Sequence, residues 1–103
     1  MPFNKKLSTF MNLFGDTPKI RVLEFLLLYR DIDHSISAIA KGAGINRITL
    51  FRIWSELEST GLIKQTRKIG NAKLFTLNFM NPYIKNVMIM FDNIMGKEKK
   101  NKF

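Results

Sequence analysis

Cationic and hydroxyl side chains are concentrated between residues 46 and 55, in the sequence NRITLFRIWS. Arg47 and Arg52 each carry a planar guanidinium, which can bind a phosphate or the O6 and N7 atoms of guanine through two parallel hydrogen bonds. Thr49 and Ser55 add hydroxyl groups that donate or accept a hydrogen bond. These side chains are suited to binding a polyanion, provided that one structural element presents them on a common face.

A helix from Asn46 to about Thr60 provides that face. Asn46 is a good N-cap residue, and Gly61 is typical of the position just after a helix. One apolar stripe is formed at the spacing i, i+3, i+4 and i+7 by Leu50, Ile53, Trp54 and Leu57. The opposite face presents Arg47, Thr49, Phe51, Arg52 and Ser55, with Ile48 at the same edge.

A second, shorter helix is predicted just before this one. Ser37 is a plausible N-cap for residues 38–41, and Gly42 and Gly44 permit a sharp turn. The segment 37–60 is therefore predicted to be a helix-turn-helix unit, in which one face is packed and the other can enter a DNA major groove. There Ile48 or Thr49 could contact a thymine methyl group. The alternative is an ordinary helical hairpin with a solvated polar face.

A β-hairpin is predicted for residues 63–79. Two strand-like segments flank the sequence KIGNA, in which Gly70 and Asn71 can adopt the positive φ angles of a tight turn. Arg67, Lys68 and Lys73 make the hairpin basic, and no acid lies between them. A basic hairpin after a helix-turn-helix unit is typical of a wing that contacts phosphates or the minor groove.

Residues 13–78 resemble a known family. The winged helix-turn-helix regulators of the broad MarR/ArsR superfamily are similar to the segment GINRITLFRIWSELESTGLI followed by KQTRKIGNAKLFTLN. Small archaeal members of that superfamily often begin with a segment similar to LFGDTPKIRVLEFLL. The resemblance implies a mainly α fold with a small β-hairpin wing (α+β) and a homodimeric transcription regulator that binds double-stranded DNA through recognition helix 46–60. By position, it implies groove or phosphate contacts from Arg47, Thr49 and Arg52. Phe51 departs from the family pattern, which usually has a small polar residue there.

The candidate DNA-binding residues combine both lines of reasoning. They are Asn46, Arg47, Ile48, Thr49, Phe51, Arg52, Ser55, Arg67, Lys68, Asn71 and Lys73.

Two apolar helices are predicted outside this region, at residues 4–14 and 82–95. Both carry apolar stripes that a small soluble monomer would leave exposed, so they are predicted to form a dimer interface. Its candidate residues are Leu7, Phe10, Met11, Phe14, Ile84, Val87, Met88, Phe91 and Met95. A membrane-surface role for the first helix and a hydrophobic effector pocket beside the last remain alternatives. Gly96 is predicted to end the last helix, so residues 1–96 form one domain and 97–103 a flexible basic tail.

Composition restricts the class of partner. The 103 residues carry a formal net charge of +9, with 17 Lys and Arg against 8 Asp and Glu. This favours a polyanionic partner, either nucleic acid or an anionic surface. No run approaches the roughly 18 apolar residues of a membrane span, so no membrane partner is expected.

Catalytic and metal sites are not expected. The chain has no cysteine, which excludes thiolate chemistry and fits a reducing cytoplasm. His34 lies near Asp31 and Asp33, but three ligands from one loop rarely make a metal site, and a solvated loop histidine is the favoured interpretation. No phosphate-binding glycine loop or nucleophile–base pair is present, so neither enzyme activity nor a cofactor is predicted.

Two other functions fit the same residues. A small basic winged helix can act as an architectural protein, or as a centromere- or origin-binding protein of a plasmid or virus. It can also be a protein-interaction module that binds no DNA and uses its wing for an acidic partner.

Overall fold

The computed structural model describes residues 3–101, with side chains described up to Gly96. Five helices and three strands follow one another along the chain. Their bounds are α1 Thr9–Phe14, α2 Pro18–Leu28, β1 His34–Ser35, α3 Ile36–Ala43, α4 Arg47–Ser59, β2 Ile63–Ile69, β3 Ala72–Leu77 and α5 Pro82–Asn101. The predicted fold class, mainly α with a small β-hairpin, is confirmed.

The sheet is antiparallel and has the strand order β1-β3-β2. Strands β2 and β3 form the hairpin, and their register pairs Ile63 with Leu77 at the base and Ile69 with Ala72 at the tip. Gly70 adopts a φ of +59° in the turn, a value that favours glycine. Strand β1 adds two residues to the other edge of β3, so the hairpin is fixed to the segment that leads into α3.

A single apolar core joins the helices to the base of the hairpin. Its largest fully buried side chains come from α2, α3, α4, β3 and α5: Val22, Leu26, Leu27, Ile39, Leu50, Leu57, Leu77 and Ile84. Trp54 of α4 contacts Phe75 of β3 edge to face, with ring centroids 4.8 Å apart. This aromatic pair fixes the hairpin relative to α4.

The turn between α3 and α4 depends on one glycine rather than two. Gly44 has a φ of +70°, and the following Ile45 N–H donates to the carbonyl of Ala40. Gly42 instead lies inside α3, where a Cβ atom would sit 2.0 Å from Cε1 of Phe25. The prediction that Gly42 helps form the turn is therefore wrong, because its missing side chain makes room for α2.

The N-terminal helix begins later than residue 4. The Ser8 hydroxyl accepts from the Met11 N–H and caps α1, while Asn12 binds the backbone of Asn4 and holds residues 4–7 in a turn. The start of α3 also differs from the prediction. Its N-cap is Ser35 rather than Ser37, because the Ser35 hydroxyl accepts from the Ala38 N–H at 3.1 Å.

His34 is buried and structural, so the expectation of a solvated loop histidine is wrong. Its Nε2 lies 2.9 Å from the carbonyl oxygen of Tyr29, and its ring packs on Phe25 with centroids 4.8 Å apart. Pairing of β1 with β3, which places His34 beside Phe75, brings the side chain inside.

The terminal helices pack on the rest of the chain. Phe10, Ile84 and Phe91 are buried in the core, and Phe10 contacts Phe91 with ring centroids 5.4 Å apart. These three residues are predicted at the dimer interface, and the structure shows their side chains buried within one chain, where α1 packs on α5. Helix α5 also continues through Gly96 to Asn101, so Gly96 does not end it. Residues 97–101, predicted as part of a flexible tail, therefore continue this helix, and residues 102–103 lie outside those described.

Candidate nucleic-acid interface

Helix α4 is fixed at its start by its cap. The Asn46 carboxamide oxygen accepts from the Thr49 N–H at 2.7 Å, which satisfies one of the free amides of the first turn. At the other end, the Gly61 N–H donates to the carbonyl of Glu58, and Lys19 of α2 forms an ion pair with Glu56 at 3.1 Å. The helix is therefore positioned at both ends while its outer face stays open.

That outer face carries most of the predicted helix residues. Arg47, Ile48, Phe51, Arg52 and Ser55 are exposed, whereas Thr49 is half-buried. The Arg47 guanidinium lies over the Phe51 ring, with 5.6 Å between its central carbon and the ring centroid. Within residues 3–96, no carboxylate pairs with Arg47 or Arg52, so both cations remain available to an external anion.

The hairpin turn and the start of α4 line one open groove of about 420 Å³. The residues that line it are Ser35, Ile36, Ser37, Arg47, Asn71, Ala72 and Lys73. Arg47 and Lys73 supply positive charge, and none of these lining residues is acidic. Three of the candidate DNA-binding residues (Arg47, Asn71 and Lys73) are therefore brought together by the fold.

Two lysines face each other across the hairpin. Lys68 and Lys73 are direct partners in the β2–β3 register, so their side chains lie on the same face of the sheet. Like charges in this position repel one another. An anion bound between them, such as a phosphate, would remove that repulsion.

Solved structures share this architecture, although no protein-family model and no curated protein matches the sequence. One is the homodimeric winged helix-turn-helix DNA-binding domain of Mb0332 from Mycobacterium bovis, a possible ArsR-family transcriptional regulator. It matches with a TM-score of 0.58 and 16% sequence identity, and the match covers 85% of this chain and 76% of that chain. MepR, a transcription regulator of the Staphylococcus aureus multidrug efflux pump MepA, matches with a TM-score of 0.61 and 16% identity over 90% of this chain and 70% of its own.

A third match is Lactococcus lactis ZitR in complex with DNA, with a TM-score of 0.56 and 16% identity. It covers 81% of this chain but only 60% of the ZitR chain. This chain has a winged helix-turn-helix fold. Helix α4 is the second helix of the helix-turn-helix in that fold, and the β2–β3 hairpin is its wing.

Arg67 differs from the other basic residues of the wing. Its Nε and Nη2 donate to the Asp33 carboxylate at 2.9 and 3.1 Å, and the Thr66 hydroxyl donates to the same carboxylate. The hydrogen bonds from Arg67 and then from Thr66 lower the pKa of Asp33 to about 2. Because neighbouring strand residues point to opposite faces, Arg67 lies on the other face of the wing from Lys68. Its guanidinium secures the wing to the loop before β1.

Two residues of this region escaped prediction from the sequence. Ser37 was assigned to the helix cap, but Ser35 takes that role and leaves Ser37 exposed in the groove. The sequence presents Asp33 only as a weak candidate for a metal ligand. Its pairing with Arg67 spans 34 positions, and no local spacing rule indicates such a contact.

Other kinds of site are not seen in the described part of the chain. No three His, Asp or Glu side chains are grouped there as a metal site would require. No helix among the described residues has the length and apolar character needed to cross a membrane.

Proposed function

We propose that the protein is a sequence-specific transcriptional regulator that binds double-stranded DNA as a homodimer. The observation that supports this most strongly is the acid-free groove in which Arg47 of the recognition helix meets Asn71 and Lys73 of the wing. In this arrangement the recognition helix enters the major groove, while the wing lysines bind the neighbouring backbone or minor groove.

The related structures support the same proposal. ZitR was determined in complex with DNA, the Mb0332 domain is homodimeric, and MepR regulates transcription of an efflux pump. Two recognition helices related by a two-fold axis would read half-sites about 34 Å apart.

The proposal is tested by the fluorescence anisotropy of a labelled duplex from the upstream region of the gene, compared with a scrambled duplex, across a salt series. Arg52→Ala and Arg47→Ala should each weaken binding to the preferred duplex by about 1–3 kcal/mol if the arginine reads a base. Lys68→Ala should weaken both duplexes equally and reduce the salt slope by about 1, because it removes a phosphate contact.

The outcomes separate the candidate functions. A preference for the upstream duplex supports a specific regulator that controls its own gene. Equal binding to both duplexes, with a steep salt slope, indicates an architectural protein or a target elsewhere. If the protein binds no duplex at low salt, the proposal is wrong and an interaction with an acidic protein becomes the better explanation.

A further inference from the structure

The reading face of the recognition helix combines a cation with two exposed apolar side chains. Ile48 is 67% exposed and Phe51 is 51% exposed, and as i and i+3 residues they are neighbours on the helix surface. Phe51 also lies beneath the Arg47 guanidinium, four residues earlier. The two apolar side chains thus adjoin the arginine that lines the groove beside the wing.

This combination contrasts with the rest of α4, whose large apolar residues Leu50, Trp54 and Leu57 are buried in the core. Single exposed apolar residues are common on protein surfaces and need no explanation. Here two of them adjoin a guanidinium on the first two turns of the helix that enters the DNA. That position suggests a role in base recognition.

The major groove offers one apolar group to such a surface. Each base edge there presents hydrogen-bond donors and acceptors, and only thymine adds a methyl group, at C5. Arginine, in turn, binds guanine O6 and N7. The 5.6 Å between the Arg47 guanidinium and the Phe51 ring is less than two base steps of about 3.4 Å.

The contact with Phe51 also limits the freedom of the arginine. A guanidinium held over an aromatic face is stabilised by cation–π attraction, which restricts the positions that the Arg47 side chain takes. When Arg47 is hydrogen-bonded to a guanine, the adjacent base pairs therefore lie against Phe51 and Ile48.

We infer that Ile48 and Phe51 are specificity-determining residues that contact thymine methyl groups within two base steps of a guanine bound by Arg47. This inference rests on the proposed DNA-binding function and specifies its target: half-sites in which guanine and thymine are near neighbours.

The test replaces thymine by uracil, which lacks only the C5 methyl group. Wild-type protein is first used to select preferred duplexes from a randomised pool. The selected duplex is then synthesised with uracil at one thymine position at a time, and each version is titrated by anisotropy. We expect a three- to tenfold weaker binding for uracil at one or more positions within two steps of a guanine.

Variants of the protein assign that effect to its side chains. The double variant Ile48→Ala/Phe51→Ala should bind the thymine and uracil duplexes equally, and because both residues are exposed it should remain folded. Ile69→Ala, which trims an exposed apolar residue of the wing, is the matched control and should retain the wild-type preference for thymine.

Three results would overturn the inference while leaving DNA binding intact. These are a pool with no enriched sequence, equal binding of every uracil duplex by the wild type, and a thymine preference that persists in the double variant. If no duplex binds at all, the proposed function itself fails, and this inference fails with it.

Discussion

At the scale of single residues, two glycines of the same turn region are required for different physical reasons, one for its backbone conformation and one for close packing. Gly44 is needed for its positive φ, whereas Gly42 is needed because α3 lies against the ring of Phe25. That ring is itself held between Tyr29 and His34, with centroid distances of 5.2 and 4.8 Å. It therefore has little freedom to move away from a new methyl group.

Gly42→Ala is accordingly expected to destabilise the protein by about 1–3 kcal/mol, as overpacked core substitutions do. Gly96→Ala is the matched control, since Gly96 also lies in a helix but a Cβ there would meet nothing within 4 Å. Its expected effect is a gain of about 0.5–1 kcal/mol from helix propensity. Urea unfolding followed by circular dichroism measures both changes. A Gly42→Ala protein as stable as the wild type would show that α2 and α3 are not closely packed.

At the scale of elements, the position of the wing depends on contacts at two levels. Its base is attached to the core by Phe75 and Trp54, and its middle is secured by the ion pair between Arg67 and Asp33. Because Arg67 forms an ion pair with Asp33, its guanidinium binds a carboxylate of the protein in the place of a DNA phosphate. Lys73 lines the groove, and Lys68, its partner across the hairpin, lies on the same face of the sheet.

The Asp33 carboxylate predicts a pH dependence with a definite sign. Its pKa falls from an ordinary 3.8 to about 2 in the folded protein, so its contribution to stability is complete above pH 4–5 and is lost as the pH falls through about 2. Asp33→Asn should therefore lower the urea midpoint relative to the wild type at pH 5–7, and the difference should shrink as the pH approaches 2.

Asp31→Asn serves as the control, because Asp31 is exposed, lies two residues away and forms no ion pair within the described residues. It removes the same charge from the same loop and should change the midpoint little across this pH range. Equal effects of the two substitutions at pH 6 would mean that the Arg67–Asp33 pair contributes nothing beyond the loss of a charge.

At the scale of the whole molecule, the fold was predictable because each of its parts has a local signal. The stripe Leu50–Trp54–Leu57, the cap Asn46 and the turn at Gly70 all depend on residues within a few positions of one another. The contacts that the sequence did not indicate are long-range. Phe10 with Phe91 and Arg67 with Asp33 join segments far apart along the chain, and apolar periodicity does not specify which surface a helix covers.

The packing of α1 on α5 within one chain changes which residues are expected at the dimer interface. Since Phe10, Ile84 and Phe91 are already buried, the apolar surface left on α1 consists mainly of Leu13 and Phe14, which are 61% and 47% exposed. Leu13 lines an open, largely apolar depression of about 730 Å³ at the N-terminal segment, and Phe14 follows it as the last residue of α1. We propose this surface as the interface of the homodimer that the proposed function calls for.

The double variant Leu13→Glu/Phe14→Glu is therefore expected to be monomeric, with a mass near 12.0 kDa by sedimentation equilibrium, at concentrations where the wild type is a dimer. Two carboxylates in an apolar interface would be desolvated without partners and would repel their copies. Ile69→Glu introduces one carboxylate at an exposed apolar position of the wing tip and should leave the oligomeric state of the wild type unchanged. A variant that keeps its helical circular dichroism and still sediments as a dimer would place the interface elsewhere. A monomeric wild-type protein would contradict the homodimer itself.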